Sequence, residues 1–244
     1  MGKMSLSNDI HARIQAVQEK IEKAAARCGR DAGDVTLVVV TKAQPVEVVQ
    51  AVIDAGARVL GENYPEETTE KIPHLNIPET LSWHMIGHLQ SRKSKLVAEH
   101  FHYLQSLDSL SLARKLDRHL EEAGRKMDVL LECNVGEEET KHGWGVSSSS
   151  ELNSFYADIE AISKLPNLRI RGLMCMPPLF EDAELARPYF LRLRRLRDDL
   201  RRDYPMLDWS ALSMGTSVDY TVAIEEGATF VRVGTAIVGP RHYS

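Results

Sequence analysis

The sequence predicts an α/β fold: a closed (β/α)8 barrel of the TIM type with one extra helix at its N-terminal end. Three observations carry this reading. Short β-branched runs alternate with helical stretches eight times, which is the pattern of parallel strand pairing. Several of those runs are apolar without alternation, as strands covered on both faces are. The chain has 244 residues, and eight strand–helix units in about 250 residues is the arithmetic of a barrel. The competing doubly wound open sheet usually carries a glycine-rich turn after its first strand. Here that strand ends in Thr41-Lys42-Ala43-Gln44-Pro45, without glycine.

Each element has its own warrant. Ser7-Asn8-Asp9 caps a first helix to about Ala26, whose Ile10, Ile14, Val17, Ile21 and Ala25 form one apolar stripe. Gly29 and Gly33 stop it, and 35–41 is the first strand. Pro45 opens a helix through Ala55, ended by Gly56. Strand 58–61 and helix 64–72 follow, then strand 81–86 and helix 91–99, strand 101–106 and helix 109–123. Strand 127–134 precedes a helix from Ser148 to Lys164, and strand 168–173 a long helix from Ala183 to Asp203. Strand 209–213, a short helix 220–226 and strand 230–234 complete the set. No linker or low-complexity stretch divides the chain, so residues 1–244 read as one barrel domain.

Composition narrows the function classes. Thirty basic and 35 acidic residues leave a net charge of −5, which argues against a general polyanion binder. The helix with Arg187, Arg192, Arg194, Arg195, Arg197, Arg201 and Arg202 is the best nucleic-acid feature, but Asp198, Asp199 and Asp203 interleave it and Leu193, Leu196 and Leu200 give it an apolar stripe. It reads as a solvated outer helix, with no aromatic stacking platform. The N-terminus lacks the apolar core of a signal peptide, and no window approaches a membrane span. Leu6 stands where a myristoylation signal needs a hydroxyl. Cys28, Cys133 and Cys175 are odd in number and far apart, so they read as buried apolar side chains, neither a disulfide framework nor a metal site. The expectation is a cytoplasmic protein with no membrane partner and no metal.

Barrel chemistry sits at the C-terminal ends of the strands. Those ends hold Lys42, Glu62-Asn63, His84, Gln105-Ser106, Asn134, Met174, Ser213 to Ser217 and Arg232 to Thr235. A lysine there suits Schiff-base chemistry, although a surface lysine is the simpler reading when it is taken alone. The last two loops, Ser213-Met214-Gly215-Thr216-Ser217 and Gly234-Thr235-Ala236, occupy the positions where barrels bind phosphate. Arg232 lies in a strand expected to be buried, so it needs a partner: an internal carboxylate, or a ring nitrogen or anion at the mouth. An amine, a phosphate cradle and a donor to a heterocycle together describe a pyridoxal phosphate site.

At these residues the chain resembles the pyridoxal phosphate homeostasis proteins, whose fold is that of the N-terminal domain of alanine racemase. The resemblance runs from the first helix to Arg241. It rests on Val40-Thr41-Lys42, Gly61-Glu62-Asn63-Tyr64, Trp83-His84-x-Ile86-Gly87-x-Leu89-Gln90, and Asn134 with Glu138, Lys141 and Gly143. It continues through Arg171-Gly172-Leu173-Met174, Ser213-Met214-Gly215-x-Ser217-x-Asp219 and the run from Val231 to Gly239. It implies that Lys42 forms the Schiff base with pyridoxal 5'-phosphate. It implies that Ser217, Gly234 and Thr235 hold the phosphate with Ser213 nearby, that Arg232 faces the pyridine nitrogen, and that Asn63 and His84 line the cavity. Thr216 stands where the family usually has methionine, His88 where proline is common, and Trp144 is unusual.

The resemblance implies a carrier or buffer of the cofactor, monomeric, serving apo-enzymes that depend on it. The alternative is an amino-acid racemase of the same fold. Two-base racemisation takes its second base from a separate C-terminal β-domain in alanine racemase, and the length leaves no room for one here. His84 could be offered as a base, but an orienting hydrogen bond inside the barrel is the simpler expectation. The reading therefore favours no dedicated turnover.

Overall fold

The computed structural model describes residues 2–138 and 142–240; Lys141 and Arg241 of the family motifs lie outside them. The order of elements is α1 (Gly2–Arg27), β1 (Thr36–Val40), α2 (Val46–Asp54), β2 (Val59–Glu62), α3 (Pro65–Lys71), β3 (Ser82–Met85), α4 (Ser94–His100), β4 (Tyr103–Leu107), α5 (Leu110–Glu122) and β5 (Met127–Asn134). Then come β6 (Trp144–Gly145), α6 (Ser149–Ile162), β7 (Leu168–Met174), α7 (Arg187–Asp203), β8 (Ala211–Thr216), α8 (Tyr220–Glu225), β9 (Phe230–Val233) and α9 (Thr235–Val238). The strands run β4-β3-β2-β1-β9-β8-β7-β5, and β4 pairs with β5, so the sheet closes as an eight-stranded parallel barrel. The two-residue β6 is an extra rung on the end of β5, Cys133 opposite Trp144.

The unbroken apolar runs have the predicted cause. In β1, Leu37 and Val39 pack outward into the core shared with the helices, while Val38 and Val40 point into the barrel with Ile86, Val59 and Phe230. A second lumen cluster joins Leu130, Met174 and Ala211 to Tyr103 and Phe230. Outside, the stripe of α1 is wholly buried. Capping chemistry sets several starts: the Ser109 hydroxyl accepts from Leu112 N, and Ser148 and Glu151 form a reciprocal capping box at α6.

Three expectations need correction. Strand β8 lies at 211–216, not 209–213, because Trp209 and Ser210 are held by turn chemistry. The Trp209 indole donates to Tyr204 O (3.2 Å), and Asp208 accepts from Ser210 N (2.8 Å). Helix α1 begins before Ser7. Of the three thiols, Cys133 and Cys175 are buried as expected, but Cys28 is exposed at the end of α1.

The arginine face of α7 is laced with carboxylates. Arg187 reaches Glu184, Glu225 and Glu226, Arg194 reaches Glu226, and Arg202 reaches Asp199 and Asp203. Among the described residues, no helix is long and apolar enough to cross a membrane.

Candidate functional site

The C-terminal ends of β1, β2, β8 and β9 surround a cavity of about 420 Å³, within the range of small-molecule sites. Its walls include Lys42, Asn63, Ser217, Arg232, Gly234 and Thr235. Six of the eight residues singled out in the sequence thus meet at one cavity.

Lys42 follows β1 directly. The next residue, Ala43, takes a left-handed backbone (φ 54°), a conformation that strains an alanine. Behind the lysine, Thr41 Oγ1 donates to Glu62 Oε1 (2.8 Å), and Lys71 Nζ stands 3.8 Å from the same oxygen. Glu62 is fully buried, and desolvation pushes its carboxyl up to about 7 despite the opposing pull of Lys71.

The two loops after β8 and β9 are tied together, since Gly234 N donates to Ser217 Oγ (3.2 Å). The Thr216 N–H and hydroxyl both donate to Asp219 Oδ1 (2.6 and 3.0 Å). The sharp turn needs Gly215: its φ is +92°, and a Cβ there would stand 2.6 Å from the Ala223 methyl.

Arg232 is buried at the base of the cavity. Its guanidinium donates to Ser213 Oγ, to Cys175 O (2.9 Å) and to Met176 Sδ (3.1 Å). Burial lowers its pKa, while the nearby Glu132 and Asp219 carboxylates favour its charge. A guanidinium remains charged and can only donate.

The remaining two residues lie below the cavity. Ser213 accepts from Arg232 and donates to Gln105 Oε1 (2.6 Å). The Gln105 amide donates to His84 Nδ1 (2.8 Å), so His84 carries its proton on Nε2 and donates to Ser82 Oγ (3.0 Å). His84 does not line the cavity; it stacks on Tyr103, centroids 4.8 Å apart. Burial, helped by His102, drives its pKa down to about 3. An imidazole bonded at both nitrogens and held neutral is an orienting element, and that corrects the expectation that His84 faces the ligand.

Sequence reasoning missed part of the wall. Gln44 and the apolar rim Met176 to Leu179 also line the cavity; the signal for the rim was the Pro177-Pro178-Leu179 run just past a strand end. Asn134 holds the loop after β5, its side-chain amide donating to Glu138 O (2.9 Å).

An amine, a buried guanidinium and two joined small-residue loops in one barrel mouth define a site for an anionic, phosphate-sized group beside a reactive carbonyl. Comparison with known proteins narrows this. Residues 13–242 match the family of alanine racemase N-terminal domains. The pyridoxal phosphate homeostasis protein of Escherichia coli K12 is 39% identical over 241 residues, 97% of this chain and 99% of that one. Its counterpart in Aquifex aeolicus is 41% identical over 231 residues, 95% of this chain and 98% of that one. The structure of PipY of Synechococcus elongatus with PLP bound superposes with a TM-score of 0.80 at 32% identity, over 94% of this chain and 100% of that chain. Alanine racemase of Streptomyces coelicolor shares the fold alone: TM-score 0.68 at 15% identity, over 95% of this chain and 58% of that one. The chain belongs to the alanine racemase N-terminal-domain barrels and, within them, to the pyridoxal phosphate homeostasis protein family.

Proposed function

We propose that this barrel binds pyridoxal 5'-phosphate in the cavity above Arg232 and works as a carrier or buffer of that cofactor, without dedicated turnover. The observation that carries the reading is the convergence of Lys42, Arg232, Ser217, Gly234 and Thr235 on one cavity. The residues fit the group. The volume suits a single phosphorylated ring. Asn63 Oδ1 and Gln44 Oε1 are buried in the wall with no hydrogen-bond partner among the described residues, and so offer acceptors to a ligand.

When bound, the group supplies an aldehyde able to condense with an amine, and a conjugated ring. The chain's residues then have separate roles. Lys42 would hold the aldehyde carbon. Ser217, Gly234 and Thr235 would take the phosphate through hydroxyl and backbone N–H groups, and Ser213 supports the site indirectly by fixing Arg232. Arg232, which has donors and no acceptor, would donate to the ring nitrogen and so leave it unprotonated. An unprotonated ring is a poor electron sink, which suits storage better than carbanion chemistry. Asn63 sits at the ring's flank. His84 steadies the floor through Gln105. Among the described residues lining the cavity, the ionisable groups are Lys42, Asp219 and Arg232. Asp219 is already engaged by Thr216 through Oδ1, so the described lining offers no second base besides that engaged carboxylate, and the racemase alternative loses support.

The deciding experiment is reconstitution. Wild-type protein is expected to turn yellow with pyridoxal 5'-phosphate and to keep the adduct through borohydride reduction, while Lys42→Ala does neither. A wild type that stays colourless after reconstitution overturns the reading. Exchange of amino-acid α-protons in D2O above the level of free cofactor would restore the racemase. We read the carrier as a one-domain, cytoplasmic monomer that hands its cofactor to dependent apo-enzymes. Light scattering tests the monomeric state, and activation of an apo-enzyme under a trap for free cofactor tests the delivery.

A further inference from the structure

The loops after β3, β4 and β5 bring together three side chains that the cavity does not use. His88 Nδ1 lies 2.8 Å from Asp108 Oδ2. The rings of His88 and His142 stack face to face, centroids 3.5 Å apart and planes 8° from parallel. One ligand atom from each of the three residues lies within 4.8 Å of the other two. None of the three lines the cavity.

We propose that His88, Asp108 and His142 form a binding site for a borderline divalent transition metal ion, with Zn2+ as the reference ion. Two imidazole nitrogens and one carboxylate oxygen would ligate it, and water would complete the shell. The donor set selects the class: imidazole suits zinc and its first-row neighbours, whereas magnesium and calcium take all-oxygen shells. The spacing is close to what is needed. Tetrahedral ligands at about 2.0–2.2 Å from zinc stand about 3.3–3.5 Å apart. The trio closes by up to about 1.5 Å, and the two imidazoles are exposed and able to rotate into place.

The carboxylate is held in advance. Ser109 Oγ donates to Asp108 Oδ1 (3.0 Å), leaving Oδ2 turned to the histidines. An outer hydrogen bond of this kind orients a metal ligand. The His88 loop is pinned as well, because Ser106 Oγ donates to Gly87 O (2.6 Å). The site thus has one preorganised carboxylate and two exposed imidazoles, at the rim of the same barrel mouth.

Equilibrium dialysis of untagged wild-type protein against Zn2+, followed by metal analysis, is expected to find one tightly held ion per chain. His88→Ala and His142→Ala should each weaken binding at least as much as loss of an outer-shell partner does, about 10–100-fold. Both positions are exposed, and unchanged far-ultraviolet circular dichroism checks the fold. A second readout needs no variant: of the nine histidines, substoichiometric Co2+ should broaden the ring resonances of His88 and His142 first. Wild-type binding no tighter than that of the His88→Ala/His142→Ala double variant overturns the proposal, as does prior broadening of other histidines.

Discussion

Replacing Ser213 with alanine removes one oxygen from the floor of the cavity and breaks two hydrogen bonds. Ser213 Oγ accepts from the Arg232 guanidinium and donates to Gln105 Oε1. All three residues are buried, so water does not replace the lost group freely. A hydrogen bond to a charged partner contributes about 1.5–3 kcal/mol and a neutral one about 0.5–1.5 kcal/mol, which puts the loss for Ser213→Ala at about 3 kcal/mol. In a chain of this size that lowers Tm by about 6–12 °C. Urea unfolding followed by tryptophan fluorescence measures it. The double variant with Gln105→Leu tests connectivity, since Gln105 bonds both Ser213 and His84. Residues in one network couple by about 0.5–3 kcal/mol. A single-variant loss below about 1 kcal/mol, or strict additivity of the pair, would refute the idea of a continuous polar chain from Arg232 to Ser82.

Two buried groups set opposing pH dependences. Glu62 titrates near 7 in the fold and near 4.5 unfolded. Between those values the native state holds the extra proton, so this group's contribution falls as pH rises, by up to about 1.4 kcal/mol per unit. His84 titrates near 3 in the fold and near 6.5 unfolded; between those values the unfolded state holds the extra proton, and stability rises with pH. The two slopes cancel between about 4.5 and 6.5. Glu62→Gln removes one of them, so the variant should gain on wild type steadily from pH 4.5 to 7, about 3 kcal/mol in all, read as the difference in urea midpoint; a constant difference refutes the assignment. His84 ring shifts in NMR should show the Nε2–H tautomer and no titration above pH 5. Gly172→Ala puts a methyl carbon 1.8 Å from Ala211 O at a residue with φ +150°, so loss of more than about 4 kcal/mol, or no soluble protein, is expected; a stable variant would mean that β7 and β8 part easily. Trp144→Phe strands the Asp158 carboxylate that the indole reaches at 2.8 Å, and a loss of about 1–2 kcal/mol should appear in the same urea assay.

What the sequence made legible divides along physical lines. Strand β5 is found residue for residue at 127–134, because its composition and the glycine turn before it agree. Strand β8 slipped because an aromatic residue at 209 imitates a strand, while Gly215 and Thr216 imitate a loop even though they end the real one. The pair Trp144–Gly145 is too short to give any period. Lys42, Arg232 and the two phosphate-type loops were readable because barrels place chemistry at strand ends. The inward network was not. Gln105 becomes meaningful only when β4 closes onto β5 and the lumen forms, and the meeting of His88, Asp108 and His142 depends on three loops whose separation along the chain hides their proximity.

The pairing of β1 with β9 has a consequence for order in time. Lys42 follows the first strand of the barrel, while Gly234 and Thr235 follow the last. A chain growing from its N-terminus therefore presents the amine long before the anion cradle exists, and any ligand needing both must wait until the final strand has docked. Such a ligand then fastens the seam it spans. By mass action its stabilisation grows as the logarithm of its concentration, about 2.7 kcal/mol at a hundredfold excess over Kd. The resistance of the β1–β9 seam to opening thus becomes a gauge of how much ligand the surroundings hold, and an empty barrel is the copy most readily opened and degraded.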